Sequence, residues 1–187
     1  ENEGYSMSEK KVGESLDKYF REGMDKRIIV ATFASNIHRI QQIVDHAVLY
    51  GRKVALCGRS IVNISGMAME LGELNIPADT LIDIDAIDRD PKEKIVVITT
   101  GSQGEPMSGL ARMASNEHAK LKIGMGDMVI ISASPIPGNE RMVFNVINNL
   151  FKNGAVVIYK ALAEVHASGH ACKEELKMMH RLIKPKY

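Results

Sequence analysis

The sequence predicts an α/β protein with a mostly parallel sheet and helices on both faces of that sheet. Short apolar runs recur along the chain without the apolar–polar alternation of a half-exposed strand. Such continuous runs are typical of strands that are buried on both faces. Between them lie segments of about 10–15 residues with helical periodicity, the rhythm of repeated strand–helix units with right-handed crossovers.

Each element follows from its own local pattern. Ser8 is a favourable N-cap and Gly23 a favourable stop, so a helix is predicted between them. Residues 1–7 are polar, and we expect them to be loosely held. In order, helices are predicted at 8–23, 37–51, 61–71, 108–115, 140–152 and 172–184, and strands at 27–32, 53–57, 80–84, 95–100, 127–132 and 155–159.

Composition excludes several classes of protein. The 187 residues are 45% hydrophobic with a net charge of +1, which is ordinary for a globular domain and gives no global basic field. Two distant cysteines without a CxxC spacing favour a reducing cytoplasm. No signal-peptide pattern or membrane-spanning run occurs. We therefore expect one domain over residues 1–187, as a fragment of a longer protein.

The loops predicted at the carboxyl ends of the strands are rich in Gly, Ser and amide side chains. Ligands of open parallel sheets bind at that edge. No loop has a GxGxxG or GxxxxGK[ST] pattern, so the pattern favours an extended phosphate-bearing ligand over a standard dinucleotide or P-loop site. The loops are residues 33–36, 58–60, 101–106, 133–139 and 166–170.

Each of these loops also has a purely structural interpretation. In residues 101–106, Gly101 and Gly104 suit positive φ angles and Pro106 suits a helix start, although turn chemistry does not require Ser102, Gln103 and Glu105 together. Residues 133–139 and 58–60 are also good turns. Arg59 nevertheless suits a phosphate at a helix start.

His166 and His170 lie in a loop that leads into the last predicted helix. On a helix, two histidines four residues apart supply half of the ligands of a metal site. Ser168 and Gly169 between these two histidines favour a loop instead. A structural pair, contact with phosphate, or service beside a metal held elsewhere all remain open. His38, His46 and His118 are expected at the surface.

Three stretches together resemble the ribonuclease J family of the metallo-β-lactamase superfamily. They occur in that family's order, and the resemblance covers the whole chain. They are Gly101-Ser102-Gln103-Gly104-Glu105-Pro106, Ser134-Pro135-Ile136-Pro137-Gly138-Asn139-Glu140 and His166-Ala167-Ser168-Gly169-His170-Ala171.

The resemblance implies a Rossmann-like β-CASP domain of an RNA-hydrolysing enzyme with exonuclease and endonuclease activity. That enzyme uses two Zn²⁺ ions held by a β-lactamase domain, whose HxHxDH signature is absent here, so this chain is expected to hold no metal. His170 matches the family's motif B histidine near the scissile phosphate. His166, Ser168 and Gly169 match residues that hold a nucleotide phosphate.

The combined interpretation is an RNA-clamping domain in which His170 is the catalytic candidate. Ser102, Gln103, Glu105 and Ser134 are expected to line the RNA groove or brace its loops. The expected partners are RNA and the missing β-lactamase domain, with a homo-oligomer at full length, no membrane and no activity from the fragment alone. The alternatives are a stand-alone nucleotide or sugar-phosphate binding protein and a module for protein contacts.

Overall fold

The computed structural model describes residues 3–159, 165, 167 and 169–186. Two short 3₁₀ helices, Ile84–Arg89 and Lys92–Lys94, join the third and fourth strands. The main elements, in chain order, are α1 (Glu9–Glu22), β1 (Arg27–Ala31), α2 (Ile37–Leu49), β2 (Lys53–Cys57), α3 (Arg59–Glu70), β3 (Leu81–Ile82), β4 (Ile95–Thr99), α4 (Gly109–Ala114), β5 (Asp127–Ile131), α5 (Glu140–Lys152), β6 (Val156–Ile158) and α6 (Lys173–Ile183).

The strands form one sheet in the order β3-β2-β4-β1-β5-β6. Every pair of neighbouring strands in this sheet is parallel. In the register of the central strand β1, Ile29 lies between Val97 of β4 and Val129 of β5. The predicted α/β fold with a parallel sheet is confirmed.

Helices cover both faces of the sheet. Since successive strand residues point to opposite faces, both sets of side chains are buried. Ile28 and Val30 of β1 belong to a core that includes residues of α1, α2 and α3. Ile29 and Ala31 belong to the opposite core, with residues of α4 and α5. The continuous apolar runs of the sequence reflect this double burial.

Buried ionic and polar bonds fix the amino ends of the central strands. Arg27 and Asp127, 4% and 1% exposed, form a two-point ion pair with distances of 2.8 and 2.9 Å. Arg52 donates to the carbonyl oxygens of Lys26 and Gly23 at 2.9 and 2.7 Å. These bonds tie the turn after α1 and the start of the strands together, at the end opposite the candidate loops.

Three local expectations were wrong. Pro106 does not start a helix, since α4 begins at Gly109 with Ser108 as its N-cap. Ser6, in the segment expected to be loosely held, is bonded to Glu175. His118 is half-buried against Cys57, and His46 is half-buried against the Gly13 carbonyl, whereas both were expected at the surface.

The topology opens crevices on either side of β1. The chain leaves β1 toward α2 on one face, whereas it leaves the neighbouring strands β4 and β5 toward α4 and α5 on the other. Loops that diverge in this way leave space between them at the carboxyl edge, which is where open α/β sheets bind ligands. In the part of the chain that the structure describes, no helix is both long and apolar enough to cross a membrane.

Candidate functional site

Four of the five predicted loops lie along the carboxyl edge of the sheet. Because the strands run β2-β4-β1-β5, the loops follow in the order 58–60, 101–106, 33–36 and 133–139. Of the fifth loop, 166–170, the structure describes Ala167, Gly169 and His170. The predicted site residues His166 and Ser168 lie outside the described residues.

One pocket of about 650 Å³ brings His170 to the crevice between β1 and β5. Gly169, Ala167, Asn36, Ser134 and Glu9 of α1 also line it. The hydroxyl of Ser134 is buried and has no hydrogen-bond partner among the described residues. We call this space the His170 pocket. Its lining residues are Met7, Glu9, Phe33, Asn36, Ser134, Pro135, Ile136, Pro137, Ala167, Gly169 and His170.

A second pocket of about 380 Å³ lies on the other side of Phe33, between the loops after β1, β2 and β4. Its wall is rich in hydroxyl groups, from Ser60, Thr100, Ser102 and Ser108, and Glu105 also lines it. Thr32, only 1% exposed, also lines it, and its hydroxyl has no partner among the described residues. We call this space the Ser102 pocket. Since Phe33 lines both pockets, they form neighbouring sections of one edge.

Gln103 connects the loops that form the two pockets. Its side-chain Nε2 donates to the carbonyl oxygen of Ser134 at 2.8 Å, and its Oε1 accepts from the backbone N–H of Ile136 at 2.7 Å. The residue is 2% exposed. Because its amide is already bonded to backbone, the geometry favours the bracing role over direct contact with a ligand.

Gly104 allows this loop to lie directly on α5. Its φ is +69°, and a Cβ there would stand 2.5 Å from the backbone carbon of Met142 and 2.7 Å from the nitrogen of Val143. Such distances leave no room for a side chain, so glycine is required by both conformation and space. Gly101 has a φ of +103°, as the turn chemistry predicted.

A buried arginine that sequence reasoning missed lies behind the His170 pocket. Arg39 of α2 is fully buried and donates to the backbone carbonyl of Val165 at 2.8 Å and to Glu9 at 2.6 Å. Ser132 also donates to the Val165 carbonyl, at 2.6 Å. A signal for this residue exists in the sequence, because Arg39 falls on the helical stripe of Ile43 and Ala47, where an apolar residue is expected.

The start of α6, just after His170, is clasped to the amino-terminal segment. The Glu175 carboxylate accepts from the Ser6 hydroxyl at 2.6 Å, from the Ser6 N–H at 3.1 Å and from the Cys172 N–H at 2.6 Å. These bonds lower the pKa of Glu175, and the bond from the Ser6 hydroxyl has the largest effect. Gly4 also accepts from the Glu174 N–H at 3.2 Å. The His170 segment is thereby held between Val165 and a fixed helix start.

Cys57 and His118 form a close pair at the carboxyl end of β2, with 3.3 Å between Sγ and Nε2. His118 Nδ1 faces the backbone N–H of Leu121 at 3.2 Å, so it accepts and Nε2 carries the proton toward sulfur. Burial raises the pKa of the Cys57 thiol and lowers the pKa of His118. A neutral thiol that faces a donor is not an activated nucleophile, and the pair is structural.

No metal centre can be assembled from the residues that the structure describes. Within them, no three His, Cys, Asp or Glu side chains are grouped so as to hold an ion. Among the described residues, the side chains at the carboxyl edge therefore do not fit a two-zinc centre. The two pockets that the structure describes there offer hydroxyls, backbone groups, His170 and the carboxylates of Glu9 and Glu105.

These features define a class of protein, a Rossmann-like α/β domain with a polar binding edge at its topological crevices. Residues 25–150 match the family model described as the ribonuclease J β-CASP domain. The chain belongs to the ribonuclease J family. Its predicted resemblance is thus confirmed.

Curated relatives match nearly the whole chain. It is 46% identical over 186 residues to ribonuclease J of Mycolicibacterium smegmatis, covering 100% of this chain and 33% of that protein. It is 46% identical to ribonuclease J of Thermus thermophilus, with 100% and 32% covered. For ribonuclease J of Helicobacter pylori the identity is 44%, with 98% and 27% covered. The chain therefore spans about a third of the length of these relatives.

Proposed function

We propose that this chain is the RNA-clamping β-CASP domain of a metal-dependent ribonuclease that acts in RNA processing and decay. The observation that carries the proposal is the His170 pocket, in which His170 and Gly169 meet Ser134 at the crevice beside the central strand. The relatives' name, ribonuclease J, supports RNA as the substrate.

The edge suits the RNA backbone better than it suits a base. Hydroxyls and backbone N–H groups bind phosphate and ribose oxygens, which carry no sequence information. Ser134 and Thr32, one at each pocket, have buried hydroxyls without partners among the described residues. Since an unsatisfied buried hydroxyl costs about 1–3 kcal/mol, rotation of either side chain toward a ligand oxygen would be favoured.

The two pockets receive successive parts of one strand in this proposal. In the His170 pocket, Gly169 and Ser134 hold a phosphate. His166 and Ser168, which lie outside the described residues, are proposed to contact the same phosphate because they match phosphate-holding residues of the family. In the Ser102 pocket, Ser102 and Glu105 contact the neighbouring nucleotide. Glu105 suits a ribose hydroxyl, because a carboxylate accepts hydrogen bonds and repels phosphate.

His170 is the candidate catalytic residue. An imidazole changes protonation near neutral pH, so it can donate a hydrogen bond to a phosphoryl oxygen or a proton to the leaving oxygen. Such donors contribute most when their direction is fixed before the reaction. Val165 and the start of α6, both tied down by hydrogen bonds, supply that restraint on either side.

The two Zn²⁺ ions of the complete enzyme are held, we propose, by a β-lactamase domain outside this chain. In support of this, the described residues contain no group of three His, Cys, Asp or Glu side chains that could hold a Zn²⁺ ion. We further propose a cytoplasmic location. We also propose that the complete protein is a homo-oligomer, and light scattering of the complete protein tests its oligomeric state.

Substitution of His170 in the complete protein tests the proposal. His170→Ala should lower kcat for single-stranded RNA by about 100-fold or more, as expected for loss of a positioned donor. Folding, followed by circular dichroism, should not change. His38→Ala, which removes an exposed histidine of α2, is the matched control and should keep normal turnover. Turnover of His170→Ala within about twofold of the parent would refute the role of His170.

The isolated chain should not cleave RNA. Added Zn²⁺ should not restore cleavage, since the described side chains provide no grouped ligands for it. The comparison uses the purified 187-residue chain and its His170→Ala variant, so that a contaminating nuclease shows itself as equal activity in both. Zinc-dependent cleavage that is lost in the variant contradicts this expectation.

A stand-alone nucleotide-binding protein is the second candidate. The size and hydroxyl-rich wall of the Ser102 pocket favour it, because ligand sites are typically about 300–1,000 Å³. Calorimetry separates the two. Tight binding of a mononucleotide without affinity for RNA supports the second candidate, whereas preference for an oligonucleotide supports the first.

A further inference from the structure

We infer that Arg39 is a positioning residue for the loop that carries His170. The inference rests on the proposed function of that loop, but it concerns a residue of α2 that lines neither pocket. Arg39 is fully buried, and its guanidinium lies among three separate parts of the chain. What it holds is the backbone immediately before residues 166–170.

The bonds of Arg39 radiate from one planar group. Nη1 donates to the Val165 carbonyl at 2.8 Å and also contacts the Ser132 hydroxyl. Nη2 donates to Glu9 at 2.6 Å, and Nε to the Gln42 side chain at 3.1 Å. The guanidinium thus joins the end of β5, the start of α1 and the segment after β6.

Val165 is the point at which this network meets the candidate site. Its carbonyl accepts from both Arg39 and Ser132, and the residue is fully buried in the core beside α1 and α2. The two hydrogen bonds hold the backbone of Val165, one residue before the loop 166–170, in place. A displacement of about 1 Å at a reacting group can reduce turnover roughly 100-fold, so this restraint bears on catalysis.

The charge of Arg39 is balanced locally. Glu9, whose side chain is 36% exposed, forms the ion pair with it and also lines the His170 pocket. Lysine cannot replace this arrangement, because an ammonium is a compact point charge and cannot span acceptors on three sides. Arg39→Lys therefore keeps the charge and removes the geometry.

The chain offers a matched control in Arg52. This arginine is also buried, at 4% exposed, and also donates to two backbone carbonyls, but it lies at the amino end of the sheet. Arg52→Lys should destabilise the fold to a similar extent without touching the candidate site. Ser132→Ala removes the second donor to Val165 and is the milder variant if Arg39→Lys folds poorly.

The test compares these variants in the complete protein by RNA cleavage and by hydrogen–deuterium exchange. Arg39→Lys should lower kcat by about 10–100-fold with little change in KM, and Ser132→Ala should lower it less. Deuterium uptake in peptides that cover residues 165–172 should rise in both. Arg52→Lys should change neither kcat nor this uptake.

The outcomes separate this inference from the proposed function. Unchanged uptake over residues 165–172 in Arg39→Lys overturns the inference, whatever His170 does. So does a loss of kcat in Arg52→Lys as large as that in Arg39→Lys. Normal turnover in His170→Ala, with raised uptake in Arg39→Lys, overturns the proposed function and leaves the positioning of the loop by Arg39 supported.

Discussion

The Gln103 side chain and the Ser134 backbone are joined by a hydrogen bond of 2.8 Å between Nε2 and the carbonyl oxygen. The same side chain accepts from the Ile136 N–H, so one buried amide connects the loops after β4 and β5. These loops follow strands on opposite sides of β1. This residue therefore holds the loops of the two pockets together.

Gln103→Ala should weaken both the fold and the binding edge. It leaves the Ser134 carbonyl and the Ile136 N–H without their partner, which costs about 2 kcal/mol in the free energy of unfolding. RNA affinity should fall as well, although Gln103 itself contacts no RNA in this account. Urea unfolding and calorimetry measure the two effects. Gln41, a half-buried glutamine that bonds the Asn75 backbone at a solvent-exposed position, is the control, and Gln41→Ala should change stability by no more than about 1 kcal/mol.

Gly104→Ala separates close packing from backbone strain. Gly104 and Gly138 both have positive φ, at +69° and +98°, but a Cβ meets the backbone of Met142 only at Gly104. We expect Gly138→Ala to cost roughly 1–2 kcal/mol from strain alone. Gly104→Ala should cost about 1–3 kcal/mol more, since the loop must move away from α5. If urea unfolding gives the same loss of unfolding free energy for Gly104→Ala and Gly138→Ala, the close contact of Gly104 with α5 does not affect stability.

The ion pair between Arg27 and Asp127 should dominate stability at the amino end of the sheet. Asp127→Asn leaves the buried guanidinium without its counter-charge, a change that typically costs about 3–5 kcal/mol. The exposed pair of Asp85 with Lys120 is the control, and Asp85→Asn should cost about 0–1 kcal/mol. Denaturant midpoints at neutral pH compare the two. A loss below about 1 kcal/mol in Asp127→Asn would contradict the assignment.

The clasp at the start of α6 should weaken in acid. The pKa of Glu175 is lowered from its ordinary value of 4.5, mainly because the Ser6 hydroxyl donates to it. A carboxyl with a lowered pKa contributes stability above its unfolded pKa and loses that contribution as the pH falls through its folded pKa. The contribution is therefore present above the ordinary pKa of 4.5 and is lost as the pH falls through the lower pKa of the folded state.

Ser6→Ala should raise the pKa of Glu175 toward its ordinary value, which a carbon-detected NMR titration measures. Ser115→Ala removes a hydroxyl at the end of α4, remote from the clasp, and should leave the titration unchanged. If Glu175 titrates in Ser6→Ala as it does in the parent protein, the hydrogen bond from Ser6 does not set the pKa of Glu175.

Local sequence patterns predicted the elements well, because most are defined by a buried face or a cap. The helix α5 and the strand β2 were predicted with their observed bounds. The order of the strands was not predicted, since right-handed crossovers permit β4 to lie beside β1 on either side. Its place between β2 and β1 is what separates the loops into two pockets.

The candidate site was predicted in part. The composition of the loops and their position directly after strands indicated a polar carboxyl edge, and the structure brings Ser134, Gly169 and His170 into one pocket there. Gln103 was expected as a ligand contact or a brace, and only the distance between two loops shows that its amide is satisfied by backbone. Arg39 was missed because its partners lie 30, 93 and 126 residues away.

The most direct measurement of the central claim is an NMR titration of the ¹⁵N-labelled chain with a short single-stranded RNA. The account predicts chemical-shift changes along the carboxyl edge, in residues 32–36, 100–108, 133–139 and 167–171, with little change near Arg27, Arg52 and Asp127 at the opposite end. Changes confined to the amino end, or none at RNA concentrations that saturate the complete protein, would contradict it.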